Sequence, residues 1–281
     1  MRQFAGKIPF SVREEVPLAW MDVYGTPFRV FDSLNSGNLC FGVEGRWGKL
    51  MIKYAGARTE NFAGRPREAV DALRAAIPVY RLAHPAFAEL LTWGEVNGGE
   101  GFAAVFRWID GVPVRARAPA PQALEALRAL PVSSRLSLLD SMFDLHARLT
   151  DMGYVSVNFH DGKLIADPAR GSWKLCSANA YRKMPAVNDR GRMRGSGFFM
   201  APEEYRWDEP LDEGTTVYHL GVLAFDLFGD AEQRDLSRWQ GPRALYDTAA
   251  QAVETERSRR FPSVRAFLDT WREQVGRCFA Y

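Results

Sequence analysis

The feature that most constrains the fold is a change of hydrophobic patterning near residue 110. Before it, apolar residues form short or alternating runs typical of strands, at 28–31, 38–43, 49–55 and 102–109. After it, apolar residues recur mainly at helical spacing. The break itself contains Asp110–Gly111 followed by Pro113, Pro119 and Pro121. The pattern predicts an α+β protein, with a strand-rich region over 1–108, a helical region over 109–281 and a candidate hinge between them.

Individual elements are predicted from the same patterns. Glycines at 45 and 48 predict a hairpin turn, and 66–82 predicts one helix that Pro78 kinks or divides. In the second half, helices are predicted from a Ser133 or Ser134 cap to Gly153, over 215–228 and over 262–275. A hairpin-like stretch is predicted where 154–159 meets 163–167, followed by a strand at 172–177.

Composition excludes several function classes. A net charge of +2 argues against a dedicated nucleic-acid binder, which would be strongly basic. No apolar run reaches about 18 residues, so no membrane span is predicted. The first 16 residues lack a signal-peptide core. The 3 cysteines are widely spaced, which favours a reduced, cytoplasmic compartment, and the 4 histidines lack metal-ligand spacing, so no structural metal is expected.

Six short motifs follow one another in a fixed order. They are Lys53 in LMIKYAGA, His84–Pro85, VFRWIDG (105–111), GFFMAPEEY (197–205), TTVYHLGVLAFDLF (215–228) and Arg260 in RRFPSVRAF. In this order and spacing they resemble the protein-kinase-like superfamily over about residues 28–275. The resemblance implies a two-lobed fold, with an antiparallel β N-lobe carrying one main helix and a mostly α-helical C-lobe.

The resemblance also assigns roles to individual residues. Lys53 takes the place of the strand lysine that meets nucleotide phosphates, and Phe106 and Trp108 lie in the segment that would face an adenine. The phosphate-covering loop corresponds to 33–41, where Ser33, Asn35 and Asn38 replace glycines and Gly37 remains. Glu203 and Arg260 correspond to a structural ion pair.

The groups that perform phosphoryl transfer are replaced. The stretch 155–167 puts Asn158 at the catalytic Asp and Lys163 at the magnesium-binding Asn, and Ser177 takes the second metal-binding Asp position. An amide cannot accept the hydroxyl proton, and an ammonium repels a cation. A shifted register with Asp161 as the base is disfavoured, because it puts Ala166 at the metal position. Asp167 is interpreted as a turn residue.

Supporting positions have changed too. The helix glutamate that would hold Lys53 falls at Ala75, while nearby Glu68 and Asp71 are interpreted as solvated. Without that glutamate, Lys53 is equally compatible with a solvated strand lysine. His160 is expected to order its loop by hydrogen bonding rather than perform chemistry.

These replacements resemble a degenerate bacterial-type Ser/Thr protein kinase, that is, a pseudokinase. The hypothesis is a regulatory protein that binds a protein partner, a nucleotide (ATP or ADP) or both, with no magnesium requirement because Lys163 replaces a metal ligand. The alternatives are an active atypical Ser/Thr kinase, a small-molecule kinase and a nucleotide-free scaffold. For the scaffold, Arg192 and Arg194 are candidate contacts to an acidic partner, against the alternative of a solvated basic loop.

Overall fold

A computed structural model describes residues 1–114, 122–179, 181–193 and 195–279. Pro119, Pro121 and Arg194, named above, lie outside them. The chain forms two compact units. Unit 1 comprises Met1–Ala83 and Ala88–Ile109, and unit 2 comprises His84–Phe87 and Asp110–Tyr281.

An antiparallel sheet dominates unit 1. The strands of this unit are β1 (Arg2–Ala5), β2 (Ile8–Ser11), β3 (Thr26–Phe31), β4 (Leu39–Gly45), β5 (Gly48–Ala55), β6 (Leu90–Val96) and β7 (Gly101–Arg107). Five of them pair in the order β3-β4-β5-β7-β6, and β1 pairs with β2 as a separate hairpin. The predicted turn is confirmed, because Gly45 pairs with Gly48 across it.

One long helix accompanies this sheet. Helix α1 (Pro66–Tyr80) starts on a proline, whose fixed backbone suits the first turn, and continues through Pro78 without being divided. Its buried stripe includes Val70, Leu73 and Ile77, at the spacing of one helix face. The helix predicted at 66–82 is therefore present and ends two residues earlier.

Unit 2 contains the other long helices that the structure describes. They are α2 (Gln122–Arg128), α3 (Val132–Asp151), α4 (Glu213–Phe228), α5 (Arg243–Ala252) and α6 (Val264–Phe279). The predicted cap of α3 by Ser133 or Ser134 is wrong, because α3 begins at Val132 after Pro131 and both serines lie in its first turn. Proline fixes its own backbone torsion, so the preceding bend is set without a side-chain cap.

Helix α4 is the centre of unit 2. Nearly all of its residues are buried, so it is covered around its whole circumference rather than along one stripe. Gly221 lets α5 approach closely, since a Cβ there would lie 2.7 Å from the Cβ of Ala252. Among the helices of the described ranges, none is both long and apolar enough to cross a bilayer.

Short strands position the loops of unit 2. They are β8 (Val112–Pro113), β9 (Tyr154–Ser156), β10 (Leu164–Asp167), β11 (Ser172–Leu175), β12 (Tyr181–Lys183), β13 (Ala186–Val187) and β14 (Pro210–Leu211). The predicted pairing of 154–159 with 163–167 is wrong, because β9 pairs with β12 and β10 pairs with β8 and β11. A single-sequence pattern predicts strands but leaves their partners open. The α+β class with antiparallel sheets is confirmed.

Candidate functional site

Lys53 is a buried cation in the sheet of unit 1. It lies on β5, paired with Cys40 of β4 and Ala104 of β7, and is 6% exposed. Its ammonium donates a hydrogen bond of 2.7 Å to the hydroxyl of Tyr80. The ring centroids of Tyr80 and Phe106 lie 5.0 and 5.3 Å from Nζ. The interpretation of Lys53 as a solvated lysine is therefore wrong.

Tyr80 is a partner that sequence analysis missed. It is the last residue of α1 and continues the buried stripe of that helix, and this was the one signal available for it. Its ring packs edge-on against Phe106 with centroids 4.8 Å apart. The candidates for a helix carboxylate lie elsewhere, because Glu68 pairs with Arg65 and Asp71 pairs with Arg67 and Arg74 on the exposed face.

The loop before β4 packs tightly against neighbouring residues of unit 1. Gly37 has φ +76°, and a Cβ there would lie 2.6 Å from the ring of Phe62 and 3.0 Å from the Cβ of Ala69. Asn35 is exposed, whereas Asn38 is buried. Gly37 is thus needed both for its backbone conformation and for a close approach.

Phe106 and Trp108 differ in their surroundings. Phe106 is fully buried beside Lys53, and Trp108 is half-buried against Phe28, with ring centroids 4.9 Å apart. The Trp108 backbone N–H donates to the carbonyl of Lys49 at 3.2 Å. Both aromatic side chains therefore serve the packing of this sheet.

Asn158 occupies a constrained position after β9 in unit 2. Its φ is +55°, a left-handed conformation that asparagine tolerates better than most residues. Its backbone N–H donates to Glu204 Oε1 at 3.0 Å. Its side-chain Oδ1 is buried and has no hydrogen-bond partner among the described residues. A buried amide oxygen of this kind accepts hydrogen bonds and takes no proton at neutral pH.

Lys163 and Ser177 come from adjacent segments. The Cys176 backbone N–H donates to the Lys163 carbonyl at 2.9 Å, which continues the β10–β11 ladder by one step. Both Lys163 and Ser177 are half-buried. The turn before Lys163 is held by His160, whose Nδ1 accepts from the Gly162 N–H at 3.0 Å, as predicted. Asp167 accepts from the Arg170 N–H, which confirms its role as a turn residue.

A buried polar chain supports the Asn158 loop. The Ser156 hydroxyl lies 2.8 Å from His219 Nδ1, and His219 Nε2 lies 2.6 Å from Glu204 Oε2. Burial raises the pKa of Glu204, but His219 and the backbone N–H groups of Asn158 and Ala201 together outweigh it and leave the pKa below its usual value. The order serine–histidine–carboxylate has the connectivity of a hydrolase triad.

The Ser156–His219–Glu204 hydrogen-bond chain is structural rather than hydrolytic. Ser156 is 1% exposed, and His219 and Glu204 are 0% exposed, so no substrate reaches the hydroxyl. A nucleophile must contact the atom that it attacks. Because Glu204 also accepts from the backbone of Asn158 and Ala201, the chain fixes the loop instead. Sequence analysis gave no role to Glu204 or His219. Their only signal was that each is a polar residue within a largely apolar motif, 197–205 for Glu204 and 215–228 for His219.

Glu203 and Arg260 are brought together as expected. Arg260 donates to both carboxylate oxygens at 2.8 and 3.1 Å, and both residues are buried. Thr215 adds a hydroxyl donor at 2.8 Å. Burial raises the pKa of Glu203, and the hydrogen bonds and charge of Arg260 outweigh that effect, so the net shift is downward. The pair joins the start of α4 to the segment before α6.

Within the described ranges, the structure contains no cluster of three or more His, Cys, Asp or Glu side chains that could hold a metal ion. In a scan against protein-family models and a search of curated proteins, no match to this sequence was found.

Proposed function

We propose that this chain is a pseudokinase, a two-lobed protein-kinase-like protein that acts in regulation by binding rather than by phosphoryl transfer. The observation that carries the proposal is the Asn158 loop. It is held rigidly by Glu204, yet it offers an amide where transfer needs a carboxylate. Lys163 and Ser177 lie on adjoining segments where the two metal ligands are expected.

The chemistry explains why these three replacements act together. Phosphoryl transfer depends on positioning and on neutralising the charge of the phosphates with magnesium. An amide cannot take the proton of the acceptor hydroxyl, and a hydroxyl is a poor magnesium ligand beside a carboxylate. Asp161 is a weak substitute for the base, because it is 0% exposed.

Lys53 supports a nucleotide as one ligand of the proposed protein. Its buried ammonium, which donates to the Tyr80 hydroxyl, is the kind of cationic donor that binds phosphate oxygens. Lys163 supplies a second cation in place of a metal ligand. We therefore expect ATP or ADP to bind without magnesium.

Thermal unfolding with ATP, ADP or no ligand, each with magnesium or with EDTA, tests nucleotide binding. A ligand that binds only the folded state stabilises it by about 2.7 kcal/mol at roughly one hundred times Kd. We expect the same rise in melting temperature with EDTA as with magnesium. A rise that requires magnesium would contradict the role given to Lys163, and a Lys53→Met variant should lose the rise.

A transfer assay with radiolabelled ATP tests whether the site lacks phosphoryl-transfer activity. We expect no label in the chain itself or in a general acceptor protein. Incorporation that disappears in the Lys53→Met variant would overturn the pseudokinase proposal in favour of an active atypical Ser/Thr kinase.

One observation favours a second candidate, a scaffold that binds no nucleotide. The loop carrying Gly37 is packed against Phe62 and α1, and an open phosphate loop would not need that packing. No change in melting temperature at millimolar nucleotide would select this scaffold.

A further inference from the structure

An open groove lies on unit 1 outside the residues discussed so far. It has a volume of about 660 Å³ and runs between the end of β1 and residues 18–27. Phe4 and Gly6 line one side, and Ala19, Asp22 and Pro27 line the other. All of the residues that line this N-terminal groove precede residue 28.

Exposed apolar side chains surround the groove. Phe4, Val23 and Trp47 are 56%, 59% and 46% exposed. Phe4 lines the groove, and Val23 follows the lining residue Asp22 in sequence. Trp47 packs against Tyr24, which precedes the lining residue Gly25, with ring centroids 6.1 Å apart. Apolar side chains concentrated around a groove are typical of an interaction site.

Two arginines stack on these aromatic rings. The guanidinium of Arg46 lies 4.0 Å from the Trp47 ring centroid, and that of Arg2 lies 5.7 Å from the Phe4 centroid. Within the described residues, neither arginine has a carboxylate at ion-pair distance. Arginine and tryptophan are among the residue types that dominate binding hot spots.

We propose that the N-terminal groove binds an acidic amphipathic segment of a partner protein. Apolar side chains of the segment fill the groove beside Phe4 and Ala19, and its carboxylates pair with Arg2 and Arg46. Asp22 accepts hydrogen bonds from backbone N–H groups of the segment. The proposal names the kind of partner for a binding protein, and it holds whether or not nucleotide binds.

A protein segment fits this surface better than a membrane does. A bilayer is flat at this scale and leaves a concave groove unfilled. A peptide side chain fills the groove and excludes water from the two arginine stacks.

Fluorescence anisotropy with labelled degenerate peptide pools tests the proposal. Pools of roughly 12-residue peptides combine Leu, Phe and Ala with Asp and Glu, with Asn and Gln, or with Lys and Arg. We expect the acidic pool to bind with Kd on the order of 10 µM, and the amide pool at least about fivefold more weakly. The basic pool should not bind.

Three variants locate the site. Ala19→Trp fills the groove, and Arg2→Glu with Arg46→Glu reverses the charges, so each should raise Kd at least about tenfold. Arg81→Glu is the matched control, because Arg81 is another exposed arginine over an exposed aromatic ring, Trp93. It should leave Kd unchanged. Melting temperatures within about 2 °C of the parent establish that the variants are folded.

Several results would overturn the proposal. They are no binding of the acidic pool up to about 500 µM, equal binding of the amide pool, or a Kd that Ala19→Trp leaves unchanged. Sedimentation with phosphatidylserine vesicles that Arg2→Glu with Arg46→Glu abolishes, with no peptide binding, would assign the surface to membranes. Label transfer from ATP would overturn the pseudokinase proposal and leave this one standing, so the two failures are distinguishable.

Discussion

At the scale of single residues, the structure is governed by how buried polar groups are satisfied. Lys53 donates to a hydroxyl, and Glu204 is paired with a histidine and with backbone N–H groups. A buried polar atom without a partner costs roughly 1–3 kcal/mol. Each pairing therefore has a measurable effect on stability.

Tyr80→Phe removes the hydroxyl that accepts from Lys53. We expect the free energy of unfolding to fall by about 1–2 kcal/mol, since a buried ammonium loses one hydrogen bond. Tyr24→Phe is the control, because Tyr24 is half-buried and packs by its ring alone among the described contacts. Urea unfolding of both variants makes the measurement, and equal losses would show that the Lys53–Tyr80 bond contributes nothing.

His146 makes stability depend on pH. Burial lowers its pKa to about 4, and the neutral ring is held between the Met142 carbonyl and the Tyr181 hydroxyl. In the unfolded chain this histidine has a pKa near 6.5. The stability that neutral His146 contributes to the fold is therefore fully present above that pH and is lost as the pH falls toward 4. We expect a loss on the order of 3 kcal/mol between these values.

Urea unfolding at pH 7 and at pH 4.5 measures this dependence. His146→Phe cannot titrate there, so the variant should lose distinctly less stability than the parent on acidification. Identical pH profiles for the two proteins would contradict the assignment to His146.

At the scale of elements, close approach between helices depends on one small residue. Gly221 faces α5, where a Cβ would lie 2.7 Å from Ala252 and 2.8 Å from Val253. Gly276 on α6 has no atom within 4 Å of such a Cβ. The same substitution should therefore have opposite signs at the two positions.

Gly221→Ala should destabilise by about 1–3 kcal/mol through overpacking. Gly276→Ala should stabilise by up to about 1 kcal/mol, because alanine has the better helix propensity. Thermal unfolding of the two variants checks the contrast. Stabilisation by both would show that α4 and α5 separate easily.

At the scale of the whole molecule, the Glu203–Arg260 pair connects distant parts of unit 2. Arg260 also donates to the carbonyls of Glu254 and Gly214 at 2.7 and 3.1 Å. The pair therefore ties the segment before α6 to the start of α4 and to the Ala201–Glu204 turn that holds Asn158.

Arg260→Leu removes the bidentate partner of the buried Glu203 carboxylate and leaves it only the Thr215 hydroxyl and the more distant Arg257, which should cost about 3–5 kcal/mol. Arg259→Leu removes only an exposed pair with Glu256 and should cost under about 1 kcal/mol. The pKa of Glu203 is lowered in the fold, so the contribution of the pair is present above the unfolded carboxyl pKa and is lost as pH falls below it.

Urea unfolding at neutral pH compares the two variants, and a pH series extends the comparison. Arg260→Leu should show less additional loss in acid than the parent, since its carboxylate no longer has a lowered pKa to lose. Equal costs for the two arginines would contradict the structural role of the pair.

The sequence by itself determined the elements whose signal is local. The strand over 49–55, the Gly45–Gly48 turn and the helices α1 and α4 are all present in the structure, because local patterns of apolar and turn-forming residues predict them. His160 and Asp167 were predicted for the same reason, since both act within three residues of themselves.

Only the tertiary structure decided which segments meet. The pairing of β9 with β12, the hydroxyl partner of Lys53 and the Ser156–His219–Glu204 hydrogen bonds join residues 15 to 63 positions apart. Such contacts depend on how elements pack, and residue spacing carries no information about packing partners at that separation. The burial of the Lys53 ammonium in the interior was likewise decided by tertiary packing.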